Sequence, residues 1–411
     1  MKIMINELIA KIRTSQVTTY YIAKFVPAIF GYMFVFLSVK LFGLELYGKY
    51  SLFFSQIILL NILFVGYFNV GQMRYFSKIS YSKYQSAKFI AFCFAIIPVI
   101  IFPSIFANYL NASSPLFLVL FAFVFILYRI KLTYLQAKLA SREFLFNEIA
   151  RSILLMSLPV LFWFYISKTI VGLISAVGLA FLMSLLINVQ VKKFDFNFKE
   201  GLDTLKVFFR YAWPISLFLF ITQGFQLTDK LFISHFLGDD ENGAYCSTFD
   251  IVYKSMTFLL FPIIMSEFPK MIKKWNDNKK DEAKIILRKA IRLQLTISLI
   301  VFIVSLFLAY DLLIFILPEV VGYISYVDVL FMILSAIVWQ FGLLFHKTLE
   351  FHEKTIPMFL FVLVAWVVNV ILIYLLIQKV GITIVPLAFL ISTLIYNLLI
   401  YLYTKKIHAF S

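Results

Sequence analysis

The chain has 411 residues, of which 62% are hydrophobic, 19% aromatic and only 14% charged, with a mean hydropathy of +0.94. This composition excludes a water-soluble globular domain, which would keep too little polar surface to face solvent. The formal net charge of +16 suits either nucleic acid or a membrane surface, and the placement of the cations decides between them.

Runs of roughly 20 apolar residues, each long enough to cross a bilayer core, recur from end to end. Breaks at charge clusters and Pro, Gly or Asn turns predict twelve spans, near 19–41, 48–71, 88–110, 115–136, 146–167, 169–190, 208–235, 243–268, 287–310, 323–346, 355–377 and 381–403. Backbone groups in lipid must pair internally, so each span is expected to be helical. The runs are too long and too continuous for a β-barrel. Lys2, Lys11 and Arg13 resemble the basic start of a signal peptide. No small-residue cleavage site follows them, however, and the apolar run from Tyr20 is long enough to stay as a first span.

The 37 Lys and Arg residues sort by side. The N-terminal tail and every second connection carry Lys2, Lys11, Arg13, Arg74, Lys78, Lys83, Lys88, Lys138, Arg142, Lys192, Lys193, Lys199, Lys206 and Arg210. The 269–292 connection is densest, with Lys270, Lys273, Lys274, Lys279, Lys280, Lys284, Arg288, Lys289 and Arg292. The alternate connections carry few cations (Lys168, Lys379) and several acids: Glu45, Asp239, Asp240, Glu241, Asp311 and Glu319. The bias places the basic side and both termini in the cytoplasm. Topology and attraction to anionic headgroups account for the net charge, so no nucleic-acid partner is expected.

Cys93 and Cys246 fall inside spans in different halves and read as apolar packing residues, not as a disulfide framework. The four histidines are scattered, and His346 and His352 lack a ligand-like set of Cys, Asp or Glu. No metal and no cofactor is expected. Asn111-Ala112-Ser113 fits a glycosylation pattern by chance, in a tight turn beside the membrane.

Self-comparison gives a weak internal repeat. Gly48-Lys49-Tyr50-Ser51 aligns with Gly243-Ala244-Tyr245-Cys246 at an offset of 195 residues. Nearly the same offset pairs the basic stretches from Arg74 and Lys270 and the third and ninth spans that follow them, and Pro27 and Pro214 occupy similar places near the cytoplasmic starts of the first and seventh spans. Six spans per half insert the same way, so the halves are parallel repeats about an axis along the membrane normal. The expected architecture is all-α and multi-pass: a six-helix lobe in 1–190, a cytoplasmic connection in 191–209 and a second lobe in 210–411, around a central cavity. No extramembrane stretch exceeds about 25 residues, which leaves no room for a nucleotide-binding domain, and no phosphate-binding GxxxxGK[ST] motif occurs. External segments near 236–242 and 311–322 are too short for the catalytic loops of membrane glycosyltransferases or polymerases. A moving carrier fits better than an enzyme.

Charges near mid-bilayer cost several kcal/mol, so each implies a cavity, a partner or both. In the eighth span Ser247, Asp250, Lys254 and Thr257 share one helical face, and Asp250 and Lys254 stand at i,i+4. They read either as a structural ion pair or as a polar cavity wall, and the two readings are compatible. The seventh span carries Ser216, Gln223, Gln226 and Lys230 along one stripe with Asp229 beside it. Lys24, Gly31 and Ser38 recur every seven residues in the first span. Arg129 sits in the cytoplasmic third of the fourth span, above Thr133 and Gln136. Snorkelling to headgroups is the alternative for Lys24 and Arg129. The candidate cavity residues are therefore Lys24, Arg129, Gln223, Gln226, Asp229, Lys230, Asp250 and Lys254. Lys24, Arg129, Lys230 and Lys254 together would suit an anionic substrate bearing a phosphate or pyrophosphate. The tyrosines and phenylalanines read as lipid-facing bulk and interfacial belt.

Leu41-Phe42-Gly43-Leu44-Glu45-Leu46-Tyr47-Gly48-Lys49-Tyr50-Ser51-Leu52 resembles the "LG…YG.YSL" stretch of bacterial oligosaccharide flippases, and Arg74 falls where that family usually has Arg. Thr228-Asp229-Lys230-Leu231-Phe232-Ile233, Leu237-Gly238 and Gly243-Ala244-Tyr245 are similar to its "D+.FI…LG…G.Y" signature, with Ala244 in place of the usual aliphatic residue. The chain thus resembles Wzx-type O-antigen and polysaccharide flippases of the MOP (MATE-like) superfamily over nearly its whole length. The resemblance implies alternating access by two six-helix bundles in a bacterial inner membrane. Its implied substrate is an undecaprenyl-pyrophosphate-linked oligosaccharide, moved from the cytoplasmic to the periplasmic leaflet. Membrane lipids are expected partners, with a polysaccharide polymerase and a chain-length regulator as further candidates. A MATE-type small-molecule exporter shares the fold. A membrane acyltransferase acting on surface sugars would need a catalytic His in a span, whereas His235 and His346 lie at span ends.

Overall fold

The computed structural model describes residues 16–106, 115–187, 196–277, 279–352 and 354–409. Lys2, Lys11, Arg13, Asn111–Ser113, Lys192 and Lys193 lie outside the described residues. Among the described residues the regular elements are helices alone. We number them α1 (Gln16–Tyr75), α2 (Tyr81–Phe106), α3 (Pro115–Ala137), α4 (Ser141–Tyr165), α5 (Ile170–Leu186), α6 (Phe198–Phe236), α7 (Asp239–Asn276), α8 (Lys280–Ile316), α9 (Tyr326–Phe345), α10 (Lys347–Phe351), α11 (Thr355–Val380) and α12 (Ile384–Ala409).

Each expected span overlies a helical segment, once α1 is divided at Gly43, whose backbone (φ 84, ψ 169) is not helical. That left-handed φ is open to glycine because it lacks a Cβ. Nine helices among the described residues are long and apolar enough to cross a membrane. Two of those nine stretches, Phe25–Lys78 and Thr355–Lys406, each cover two expected spans, and Ile170–Leu186 is a shorter apolar helix. Twelve crossings therefore remain the expectation of the sequence.

Three helices outrun their spans on the basic side. α6 begins ten residues before the span expected at 208, and the Asn197 carboxamide oxygen accepts the Glu200 backbone N–H at 3.2 Å to cap it. At 38 residues α7 is about 57 Å long, well beyond a hydrocarbon core of about 30 Å. α8, with 37 residues, begins at Lys280. Hydropathy locates the buried part of such helices and is blind to their polar ends.

The described residues divide into two compact units. The first holds α1 up to Phe42, Phe53–Ser216, and hence α2 to α5. In it α4 and α5 pack through Leu158, Ala176 and Ala180, with Leu154, Leu155, Phe162 and Leu179 around them. Two alanines one turn apart let backbones approach where lipid supplies no hydrophobic drive. The second unit holds Gly43–Leu52 and Leu217 onward. Its core joins α7, α8 and α9 through Ile263, Ile264, Met271, Ala290 and Leu344.

The two repeat motifs meet inside the second unit. A Cβ on Gly48 would stand 2.6 Å from the Asp239 carbonyl oxygen, and one on Gly243 would stand 1.9 Å from that of Leu44. Residues 44 and 239 are themselves 195 apart, as are 43 and 238, and Gly238 also has positive φ (128°). The contact thus obeys the offset of the repeat, each motif presenting a bare glycine to the backbone of the other.

The charge-derived topology has a direct check. Asp240 and Lys279 are both exposed and fall on opposite faces by the Lys/Arg sorting. Single cysteines there, in a background of Cys93→Ser and Cys246→Ser, should react with an impermeant thiol reagent from opposite sides. Labelling from one side would overturn the orientation.

Candidate functional site

The second unit gathers the polar residues of α6 and α7 around the 43–52 segment. Asp229 and Lys230 are almost fully buried, at 2% and 5% exposure. Asp229 Oδ2 accepts from the Tyr245 hydroxyl at 3.0 Å. With its carboxamide oriented to satisfy both neighbours, Asn369 on α11 donates to Asp229 Oδ1 at 3.3 Å and accepts from the Phe389 backbone N–H on α12 at 3.2 Å. One turn of chain away, the Trp366 indole donates to Thr228 Oγ1 at 3.0 Å. Asp229 thereby ties α6, α7, α11 and α12 together.

Lys230 points the other way along the cluster and donates to Ser51 Oγ at 2.9 Å. Asp250 Oδ2 accepts from both Lys254 Nζ and the Tyr47 hydroxyl, each at 3.1 Å. The Lys230 charge also acts on Asp250. Beside them the Asn242 carboxamide donates to the Gly48 carbonyl at 3.1 Å, and the Cys246 thiol donates to Asn242 Oδ1 at 3.2 Å. The four charges alternate in sign and balance, two acids against two amines.

The i,i+4 pair expected in the eighth span is thus present. Its side chains keep 42% (Lys254) and 27% (Asp250) exposure, so the pair is only partly buried. A mutually buried pair would cost several kcal/mol to rupture. A half-exposed pair of this spacing is instead worth under about 1 kcal/mol. A double-mutant cycle with Asp250→Asn and Lys254→Gln, read by thermal unfolding of the purified protein, should give a coupling below about 1 kcal/mol. A coupling above about 3 kcal/mol would show full burial.

The other expected residues stand apart from this cluster. Gln223 and Gln226 lie one to two turns along α6 and make no bond to it; the Gln223 amide nitrogen is buried with no hydrogen-bond partner among the described residues. Lys24 is placed in α1, and its side chain lies outside the described ones. Arg129 lies in the first unit, exposed on α3.

That unit also contains polar groups the sequence reading passed over. Glu148 on α4 is 5% exposed and accepts from the Tyr128 hydroxyl at 2.7 Å and from Arg151 at 3.2 Å. Lys131 donates to Asn147 Oδ1 at 2.8 Å and to the carbonyls of Ser184, Leu185 and Ile187. It supplies the donor and the positive charge that the end of α5 requires. In the second unit Tyr47, Ser51, Tyr245 and Asn369 were likewise missed. A polar residue inside an apolar run was the available signal for Asn369, whereas Tyr47 and Tyr245 are two among 23 tyrosines.

Comparison with known proteins places the fold. An all-helical chain of apolar helices in this order has the fold of MATE/MOP-superfamily transporters. Residues 214–375 match the MatE family model. An inward-facing multidrug resistance MATE family transporter of the MOP superfamily is similar with a TM-score of 0.74, at 12% identity, covering 97% of this chain and 100% of that one. The lipid II flippase MurJ in an inward closed conformation has a TM-score of 0.71 at 18% identity, covering 94% of this chain and 87% of that one. A MOP-superfamily transporter from Pyrococcus furiosus, described as having a binding pocket of reverse polarity, has a TM-score of 0.61 at 14% identity, over 93% and 95% of the two chains. No curated protein matches the chain.

Proposed function

We propose that the chain is a flippase for undecaprenyl-pyrophosphate-linked oligosaccharide, carrying it from the cytoplasmic to the periplasmic leaflet of a bacterial inner membrane by alternating access, with both termini cytoplasmic. The observation that carries this reading is the assembly of the two signature-like stretches, 41–52 and 228–245, into one polar site. Lys230 reaches Ser51, Asn242 reaches the Gly48 carbonyl, and Gly48 packs on Gly243. Stretches nearly 200 residues apart that resemble one family and meet in space are a joint feature, more specific than either alone. The fold is shared with a lipid II flippase and equally with multidrug transporters, so fold supports the transporter class and leaves the cargo to the site.

In this reading Lys230 and Lys254 offer positive charge to the pyrophosphate head, where interactions gain strength away from water, while the polyprenyl tail stays in lipid. Gln223 and Gln226 supply neutral hydrogen-bonding groups for sugars. The MatE match over 214–375 favours a second reading, export of a small molecule. Deletion of the gene in a strain with no second flippase separates them. Surface polysaccharide should be lost and lipid-linked oligosaccharide should accumulate on the cytoplasmic side. Normal polysaccharide with lost resistance to cationic drugs would select the exporter.

A further inference from the structure

We infer that the N-terminal part of α8 carries a docking site for an anionic phospholipid, with the headgroup phosphate held by Arg288 and Arg292 and an acyl chain laid along Leu295, Leu299 and Ile303. The 269–292 stretch holds nine cations, and the structure separates those with an acid to hand from those without. Close to the turn between α7 and α8, Lys270 meets Glu267 at 2.7 Å, Lys274 and Lys279 share Glu282, and Lys284 stands 3.9 Å from Asp281. Farther along α8 that pairing stops. Arg288, Lys289 and Arg292 are exposed, and none has a side-chain ion pair among the described residues. The positions three and four residues to either side of each hold Lys, Arg, Ile, Leu or Thr, never Asp or Glu. Arg288 and Arg292 stand one turn apart, and Lys289 is three residues before Arg292, so like charges repel on one surface of the helix. A shared anion removes that repulsion.

The stripe these arginines occupy says what the anion is attached to. α8 buries Ala283, Ala290, Gln294 and Ser298 on one side, where Ala290 packs with Ile263, Ile264 and Leu344. Arg288 and Arg292 lie on the other side. Residues 295, 299 and 303 follow Arg288 at i+7, i+11 and i+15 and so continue its stripe, and Leu295, Leu299 and Ile303 are all exposed. The surface changes from guanidinium to aliphatic within one turn, and from Leu293 to Tyr310 the sequence carries no charge. A phospholipid presents phosphate and then acyl chain in that order to a helix entering a bilayer. Two planar forks a turn apart match the oxygens of its phosphodiester. An anionic lipid is selected over a zwitterionic one, whose own ammonium already balances its phosphate and leaves three cations unmatched. The aliphatic continuation is surface that a soluble phosphate cannot cover. The site shares no residue with the polar cluster of α6 and α7, and it stands whichever cargo the protein carries.

The test is a titration of the full-length protein in detergent with phosphatidylglycerol, with phosphatidylcholine and glycerol phosphate as separate probes. The thermal unfolding midpoint, which rises as a ligand binds the folded state, reports binding, and native mass spectrometry counts the lipid retained. Phosphatidylglycerol should raise the midpoint of the wild type at concentrations where the other two probes do not. Arg288→Gln combined with Arg292→Gln should weaken that response about tenfold or more and lower the number of retained lipids. Lys270→Gln combined with Lys284→Gln removes the same charge from cations that already have acids, and should titrate like the wild type. Arg288→Lys combined with Arg292→Lys keeps the charge and loses the forks. It should fall between the wild type and the Gln pair, and serves as the test if the Gln pair does not fold. Equal weakening by the two Gln pairs would show general attraction to the basic surface and overturn the site. A wild type that does not separate phosphatidylglycerol from phosphatidylcholine, or that responds equally to glycerol phosphate, would overturn it too.

Discussion

Gly243→Ala should remove most of the folded protein from the membrane. The new methyl would stand 1.9 Å from the Leu44 carbonyl oxygen and 2.5 Å from its carbon. Both are backbone atoms, so no rotamer change relieves the clash and α7 must separate from the 43–52 segment. Overpacking against mobile side chains costs about 1–3 kcal/mol, and a backbone clash of this depth is expected at or above the upper end. Gly48→Ala meets Asp239 O at 2.6 Å and Gly243 N at 2.8 Å, and should be severe but milder. Gly31→Ala meets no atom within 4 Å and is the control. Size-exclusion profiles of fluorescent fusions rank the three. A Gly243→Ala protein as abundant and monodisperse as wild type would refute the close crossing of the repeat motifs.

Asp229→Leu should be nearly as damaging for a different reason. It strands the Tyr245 hydroxyl and the Asn369 amide, both donors to a carboxylate that is 2% exposed, and it removes an acid beside buried Lys230. Each stranded buried donor costs about 1–3 kcal/mol, so a total near 3 kcal/mol is expected. Asp229→Asn keeps an acceptor oxygen and should recover at least half of that loss. Tyr245→Phe removes one donor together with its need for a partner and should cost about 1 kcal/mol. Thermal unfolding in detergent gives the order. An Asp229→Asn protein less stable than Asp229→Leu would show that the negative charge itself, not hydrogen bonding, holds the cluster.

The helices were legible in the sequence because lipid leaves a continuous apolar run one backbone solution. Their polar ends were not, since the start of α6 at Phe198 depends on the Asn197 cap and not on hydropathy. The Asp250–Lys254 pair could be read from its spacing, but its partial exposure could not, and exposure sets its strength. Asp229 was visible as a charge in a span. Its partner Asn369 lies 140 residues on, and only the packing of α11 on α6 brings them together. The Glu148–Arg151 pair stands at i,i+3, a spacing the sequence carries, but the Tyr128 hydroxyl that completes it comes from α3, 20 residues back. The balance of charge also shifted. In the second unit acids and amines cancel, and the surplus of intramembrane cations sits in the first unit at Arg129, Lys131 and Arg151.

Transport of the lipid-linked oligosaccharide by the purified protein is the measurement that bears most directly on the central claim. Proteoliposomes loaded with undecaprenyl-pyrophosphate oligosaccharide on both leaflets are probed with an impermeant lectin that reads the outer leaflet, and ethidium uptake is followed in parallel. The account predicts protein-dependent exchange of oligosaccharide between leaflets, slowed by Lys254→Gln, with no protein-dependent movement of ethidium. Protein-dependent ethidium movement without exchange of the lipid would contradict it.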